Sequence, residues 1–263
     1  MIGVNLFKQK NKRVGVALGG GAVWAFAHIG VLEVFEENGI LVDGIAGTSA
    51  GSIVAAFYSF GLKLHEIKEI ALSLALSDVF HWKVSKLGLS QTDRIGKLVE
   101  NQVGDAKVGD AKLPLFITAT DLLGSEPHVF GTETPLALAV SASCAIPGVF
   151  VPVEHEGRVF VDGSLLADVN CKVLRESGFD VVIGVELNNY LEKKKPTNMF
   201  EVILESFQSM VERSNRELEK YADVMIKVDM EGVGRFEIEK APLILQKGRE
   251  RAFEFVGKIK SLL

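Results

Sequence analysis

Short runs of consecutive apolar residues alternate along this chain with longer stretches in which apolar residues recur every three or four positions. RVGVAL (13–18) is a β-branched run that ends in glycines, which predicts a strand. AFAHIGVLEVFEENG (25–39) has helical spacing and stops at Gly39, in the place of a C′ glycine. VDGIAG predicts a second strand, and SAGSIVAAFYSFG a second helix ending at Gly61. LPLFITATDL (113–122), DVVIGVEL (180–187) and ADVMIKVD (222–229) predict further strands, and helices are expected over 64–77, 93–103, 198–219 and 241–261. Strands that are apolar throughout and separated by helices imply a mostly parallel sheet covered on both faces. The expected fold is therefore α/β and three-layered, with helices flanking a central, mostly parallel sheet. No internal repeat or low-complexity segment interrupts the pattern, and LEKKKPTN (191–198) reads as a solvated loop. The whole chain, 1–263, is expected to form one domain, with a core over about 12–190 and the helices 198–219 and 241–261 packed on it.

Composition narrows this picture. Hydrophobic residues make up 48% and charged residues 24% of the 263, as in folded globular chains. The net charge of -5 leaves no basic excess to neutralise phosphates, which argues against nucleic acid as a partner. Cys144 and Cys171 are too few for a disulfide scaffold or a cysteine-only zinc site. Lys8, Lys10, Lys12 and Arg13 precede an apolar run and AFA (25–27), the outline of a secretory signal. GVALGGGAVW is too rich in glycine for the helical core of such a signal, so an uncleaved, cytoplasmic chain is expected. No uninterrupted apolar run is long enough to predict a membrane-spanning helix.

The candidate chemistry begins at Gly47-Thr48-Ser49-Ala50-Gly51, a G-x-S-x-G pattern between a predicted strand and a predicted helix. A serine in that turn stands at a helix N-terminus, where the dipole and free N–H groups favour developing negative charge. Gly47, Ala50 and Gly51 permit a sharp turn and close approach of a substrate. Serine is also a good N-cap, so the pattern alone leaves nucleophile and cap both open. The second feature is LGGGAVW (18–24), where glycines at a strand end can present backbone N–H groups. Loops after neighbouring parallel strands meet at one sheet edge, so this loop and the Ser49 turn are expected to face each other. Gly20 and Gly21, with the N–H of Ala50, would then form an oxyanion hole. A dinucleotide fingerprint fails because Trp24 stands where its last glycine belongs, and no G-K-[ST] follows for a P-loop.

No histidine follows His155, so a Ser…Asp…His order has nothing to close it. GRVFVDGSLLAD (157–168) instead brings Asp162 to the end of a short β-branched run. A carboxylate there can take a serine proton if held within reach, and an Asp-Gly hairpin turn is the plain alternative. His28 reads as a packed helix residue, Asp121 as a loop-ordering residue, and the apolar positions of 64–76 as core.

Together VGVALGGGAVWAFAHIGVLEVFEENGI, GTSAG, ITATDL, SASCAIPGVFVPV and VDGS resemble the patatin-like phospholipase family, its small single-domain bacterial members most of all. The resemblance spans nearly the whole chain and implies a Ser49–Asp162 dyad, with Ser49 as nucleophile and Asp162 as base. It implies an oxyanion hole in the loop Gly19, Gly20 and Gly21, and motif glycines at Gly47, Gly51 and Gly163. It also implies hydrolysis of lipid acyl esters without metal or organic cofactor, and a lipid or acyl-ester substrate met with peripheral membrane contact. An aspartate with an ordinary pKa of about 3.9 is a weak base, so such a site would depend on positioning and the oxyanion hole.

The chain departs from the family pattern where Arg-Gly is usual and Trp24-Ala25 stands instead. Trp24 is expected to line the acyl groove and to favour neutral esters over anionic phospholipids. The Asn-Pro that often follows the aspartate is replaced by Ala167-Asp168, and Ser164 stands in reach of Asp162. Two rivals follow, an acyltransferase using Ser49–His155 and a weakly active lipid-binding or regulatory protein. Since no zinc pattern or calcium loop is present in the sequence, ester hydrolysis is expected to survive EDTA. Activity lost to EDTA and restored only by added metal would refute this.

Overall fold

The computed structural model describes residues 12–73, 92–188 and 195–263. Thus 74–77 of the expected third helix, His81 and part of the LEKKKPTN loop lie outside the described residues. Among the described residues eight strands belong to one sheet: β1 (Val14–Leu18), β2 (Gly44–Thr48), β3 (Leu115–Asp121), β4 (Glu126–Val129), β5 (Val153–His155), β6 (Arg158–Asp162), β7 (Val181–Glu186) and β8 (Val224–Lys227). The helices are α1 (Phe26–Glu37), α2 (Ala50–Phe60), α3 (Leu64–Ser73), α4 (Asp93–Val103), α5 (Leu136–Ser143), α6 (Ser164–Ala167), α7 (Cys171–Glu176), α8 (Met199–Leu218) and α9 (Ala241–Leu262).

Strands β3, β2, β1, β7 and β8 pair in that order, all parallel, while β4, β5 and β6 pair antiparallel at the β3 end. The fold is the expected α/β sheet flanked by helices. Each parallel strand feeds two cores by alternation: Val16, Ile45, Ile183 and Val185 enter one apolar cluster, and Ala17, Ala46 and Val182 the other. That double burial is why these strands read as continuous apolar runs. The short elements β4, β5, α5, α6 and α7 escaped the sequence pattern, being too brief to establish a period. Glu156 and Gly157, both at positive φ, turn the β5–β6 hairpin, so Asp162-Gly163 is not a hairpin turn but the passage from β6 into α6.

Strand β3 has an unusual arrangement of neighbours. Thr118 pairs with Thr48 of β2 on one edge and Val129 of β4 on the other, while Ala119 pairs with His128 of β4 and Asp162 of β6. Since β4 occupies one edge over Thr118–Asp121, β2 and β6 share the opposite edge. They run toward each other along it and end side by side.

The C-terminal helix α9 lies against α1. A Cβ on Gly248 would overlap the carbonyl oxygen of Ala27, and one on Gly30 that of Leu245, so the two backbones touch. Arg249 ties the pair with bonds to Glu33 at 2.7 Å and Glu37 at 2.8 Å. Among the described residues no helix is long and apolar enough to cross a membrane. Gly248→Ala is expected to lower stability by about 2 kcal/mol through overpacking, although alanine is intrinsically the better helix former by about 1 kcal/mol. Urea denaturation decides, and unchanged stability would contradict this packing.

Candidate active site

Ser49 alone makes the turn between β2 and α2. Its backbone sits at φ 52° and ψ -132°, a strained region for a residue with a side chain, costing on the order of 1–3 kcal/mol. Neighbours hold it there. The Ser49 N–H donates to Ser143 Oγ at 2.8 Å, and the Ser143 hydroxyl donates to the Thr118 carbonyl at 2.6 Å. A side chain on Gly51 would overlap the carbonyl oxygens of Leu18 and Gly19, so the start of α2 rests on the end of β1.

The Ser49 hydroxyl does not cap α2. It donates to Asp162 Oδ2 at 2.6 Å, and Asp162 Oδ1 accepts the Ser164 N–H at 2.8 Å. The shared edge of β3 explains the meeting, because Thr48 and Asp162 pair with consecutive residues. Asp162 is buried, and desolvation pushes its pKa up to about 7 against the downward pull of the bonds from Ser49 and Ser164. The expectation of an ordinary, weakly basic aspartate is thereby corrected: a carboxylate titrating there suits proton transfer near neutrality.

The glycine loop faces Ser49 as expected, since a Cβ on Gly20 would stand 2.9 Å from Ser49 Cβ. Its N–H groups are not equivalent. Gly19 donates to the Val185 carbonyl at 3.1 Å and Gly20 to Asp168 Oδ1 at 2.7 Å. Both are engaged, which corrects their assignment as oxyanion donors. The N–H groups of Gly21 and Ala50 have no hydrogen-bond partner among the described residues. Asn188 Nδ2 donates to the Gly20 carbonyl at 3.1 Å. In a trans peptide C=O and N–H point opposite ways, so this bond turns the Gly21 N–H away from Asn188. His28 Nε2 donates to the Gly19 carbonyl at 2.7 Å, and burial lowers its pKa to about 4, so it is a neutral prop behind the loop.

Sequence reasoning missed Asp168, Asn188 and Asn215, all buried. Asp168 Oδ2 accepts from Asn188 at 3.0 Å and Asn215 at 2.9 Å, while Asn215 Oδ1 accepts the Val169 N–H at 3.2 Å. Asp168 follows the Asp162 motif by six positions and Asn188 follows an apolar strand; polar residues so placed were the available signal. Asn215 lies on α8 and had none.

Trp24 is also corrected. It belongs to a 3₁₀ turn, Ala22–Ala25, which rotates its side chain away from the cavity that Ala22, Val23 and Ala25 line. The indole is buried, donates from Nε1 to the Val233 carbonyl at 3.1 Å, and lies beneath the Arg235 guanidinium at 4.4 Å. An arginine at 24 would meet Arg235 in a buried place, so redirected specificity is no longer expected from that substitution. His155 sits on β5, 3.8 Å from Glu156, and does not meet Ser49, whose hydroxyl is engaged by Asp162.

Beside Ser49 opens a cavity of about 180 Å³. Ile53 and Phe57 of α2, Ile67 and Ile70 of α3, and Ile95 and Leu98 of α4 line it. The apolar stripe of α3, expected to be core, is thus partly cavity wall.

The family model for Patatin-like phospholipase matches residues 16–175. An uncharacterized NTE family protein of Mycobacterium tuberculosis is 34% identical over 183 residues, covering 68% of this chain and 50% of its own. Lysophospholipase NTE1 of Pyricularia oryzae is 28% identical over 188 residues, 68% of this chain and 12% of its own. The chain therefore spans half or less of these curated relatives. Among solved structures, VipD from Legionella pneumophila superposes with a TM-score of 0.64 at 13% identity, over 94% of this chain and 67% of that one. Human GIVD cytosolic phospholipase A2 gives 0.53 at 11% identity, over 95% and 59%. These two show the shared fold.

The raised pKa of Asp162 has a consequence for stability. Between 3.8 and about 7 the native state holds a proton that the unfolded state has released. The stability this proton confers is complete below the lower value and is lost as pH rises through the upper one, at up to about 1.4 kcal/mol per pH unit. Asp162→Asn is expected to remove that slope and to be more stable than the parent at pH 8. Parallel slopes for the two proteins in denaturant titrations across this window would refute it.

Proposed function

The chain belongs to the patatin-like phospholipase family, and from that premise we propose that it hydrolyses lipid acyl esters through Ser49 and Asp162. The observation that carries the proposal is the 2.6 Å bond from a strained serine to a buried carboxylate. Ser49 Oγ attacks the acyl carbonyl carbon while its proton passes to Asp162 Oδ2. The N–H groups of Gly21 and Ala50 receive the negative oxygen, aided by the α2 dipole. Collapse breaks the bond to the alcohol, which leaves with the proton from Asp162. Water then attacks the acyl-serine, gives a proton to Asp162, and frees the fatty acid as Ser49 regains its hydrogen.

Each accessory group has a place in this scheme. The apolar cavity takes the acyl chain and keeps water from the ester. Asp168 and Asn188 orient the glycine peptides, so the donors are aligned before substrate arrives. The relatives named lysophospholipase support a monoacyl lipid as substrate.

Ser49→Ala is expected to lower kcat by about 10⁵-fold or more, and Asp162→Asn by about 10³-fold. His155→Ala should leave kcat/KM within about twofold, since His155 is half-buried on β5 away from Ser49 and substitutions away from a site have small effects. Activity should rise with pH through about 7 as Asp162 loses its proton. Steady-state kinetics on a monoacyl ester tests all four. Full activity in Asp162→Asn with loss in His155→Ala would establish the histidine-based acyltransferase instead. A parent inert toward esters and toward a fluorophosphonate would leave a lipid-binding protein.

A further inference from the structure

Helix α8 presents two unlike faces. Its C-terminal half turns Ser214 and Asn215 inward, to Asp168 and Val169 beneath the glycine loop. Between Met199 and Met210 it turns Met199, Val202, Ile203, Ser206, Ser209 and Met210 outward. The four apolar members are between 39% and 79% exposed, too much for side chains that only complete a core. The spacing follows the helical repeat, which makes a stripe roughly 16 Å long at 1.5 Å per residue. The serines do not break its apolar character. Ser206 donates to the Val202 carbonyl at 2.7 Å and Ser209 to the Glu205 carbonyl at 2.9 Å, so both hydroxyls are satisfied within the helix.

The stripe adjoins the cavity at Gly148. Ile203 Cγ2 lies 3.5 Å from where a Cβ on Gly148 would be, and Gly148 stands between Ile146 and Phe150, both in the cavity wall. Phe236 also lines the cavity while remaining 48% exposed, so the wall of the cavity reaches the surface. An apolar surface thus runs from the outside of α8 to the place where an acyl chain would enter.

We propose that this stripe is the surface by which the protein docks on a zwitterionic lipid surface, a conclusion that rests on the acyl-hydrolase reading of the adjoining site. Continuity with the cavity favours lipid over a protein partner, because a protein seated there would cover the cavity beside it. Charge decides the kind of lipid. Along the sequence Glu192, Glu201 and Glu205 offset Lys193, Lys194 and Lys195 around the stripe, and the chain carries a net charge of -5, so attraction to anionic headgroups is not the driving force. Burial of apolar side chains at the interface is. The first exposed charge along the helix after the stripe, Arg213, is paired with Glu217 at 3.0 Å.

The test compares the parent with Met199→Ser/Val202→Ser/Met210→Ser and with Met199→Trp. Sedimentation with phosphatidylcholine vesicles gives the partition, and a soluble short-chain nitrophenyl ester reads the catalytic site. The triple variant is expected to partition about 30-fold more weakly and Met199→Trp about threefold more strongly, both with the parent's rate on the soluble ester. An unchanged partition in both variants overturns the proposal. So does binding that requires phosphatidylserine and disappears with salt, or a parent dimer that the triple variant dissociates, which would give the stripe to a second copy. A parent that binds vesicles through the stripe but cleaves no ester would overturn the hydrolase reading while the docking surface stands.

Discussion

Two strands end head to head on one edge of β3, and the site depends on that constraint. Thr48 of β2 pairs with Thr118, and Asp162 of β6 pairs with Ala119. Successive strand residues advance only about 3.3 Å, so the turn after β2 and the end of β6 become neighbours without a long loop to span the gap. Hydrogen bonding in the ladder fixes the register, and the Asp162 N–H adds a bond to the Ala145 carbonyl at 2.8 Å. The carboxylate is therefore delivered by rigid backbone into a buried place. Its raised pKa and its short bond to Ser49 both follow from that burial.

A buried carboxylate must find donors or abandon its charge. Asp162 finds two, the Ser49 hydroxyl and the Ser164 N–H. Asp168, a few residues further on, finds Gly20, Asn188 and Asn215. The second carboxylate serves the first site indirectly, because its bond to Gly20 and the bond from Asn188 to the Gly20 carbonyl fix successive peptide planes of the loop. Peptide planarity converts those two contacts into a direction for the Gly21 N–H. Buried partners outside the loop thus hold a glycine run, the most flexible of sequences, in one orientation.

Helix α8 joins the polar layer to the exterior. Its inner residues close the network around Asp168, while its outer residues carry an apolar stripe beside the cavity wall. The loop at 233–236 is stitched to the turn after the glycines by the Val23 N–H to the Arg235 carbonyl at 3.1 Å and by Trp24 to Val233. It contributes Phe236 to the cavity. The tryptophan that departs from the family pattern is thus part of the seam between the glycine loop and the C-terminal segment, held beneath Arg235.

Periodicity determined much of this protein in advance. The parallel strands, the long helices, the glycine loop and the Ser49 turn were legible because each carries a local signature: continuous apolar runs, helical spacing, or glycines at a strand end. Ser49 and Asp162 could be singled out as chemistry-bearing residues, yet cap and nucleophile could not be separated for Ser49, nor turn and base for Asp162. Those choices depend on which side chain meets which, and Ser49 and Asp162 are 113 positions apart. Only the tertiary structure decided that β6 ends against β2, that Gly19 and Gly20 have engaged N–H groups, and that Trp24 turns from the cavity. The reason is common to all three. A backbone period reports which face of an element is apolar, whereas burial, pKa and the direction of an N–H are set by residues distant in sequence that share one place only after the sheet has formed.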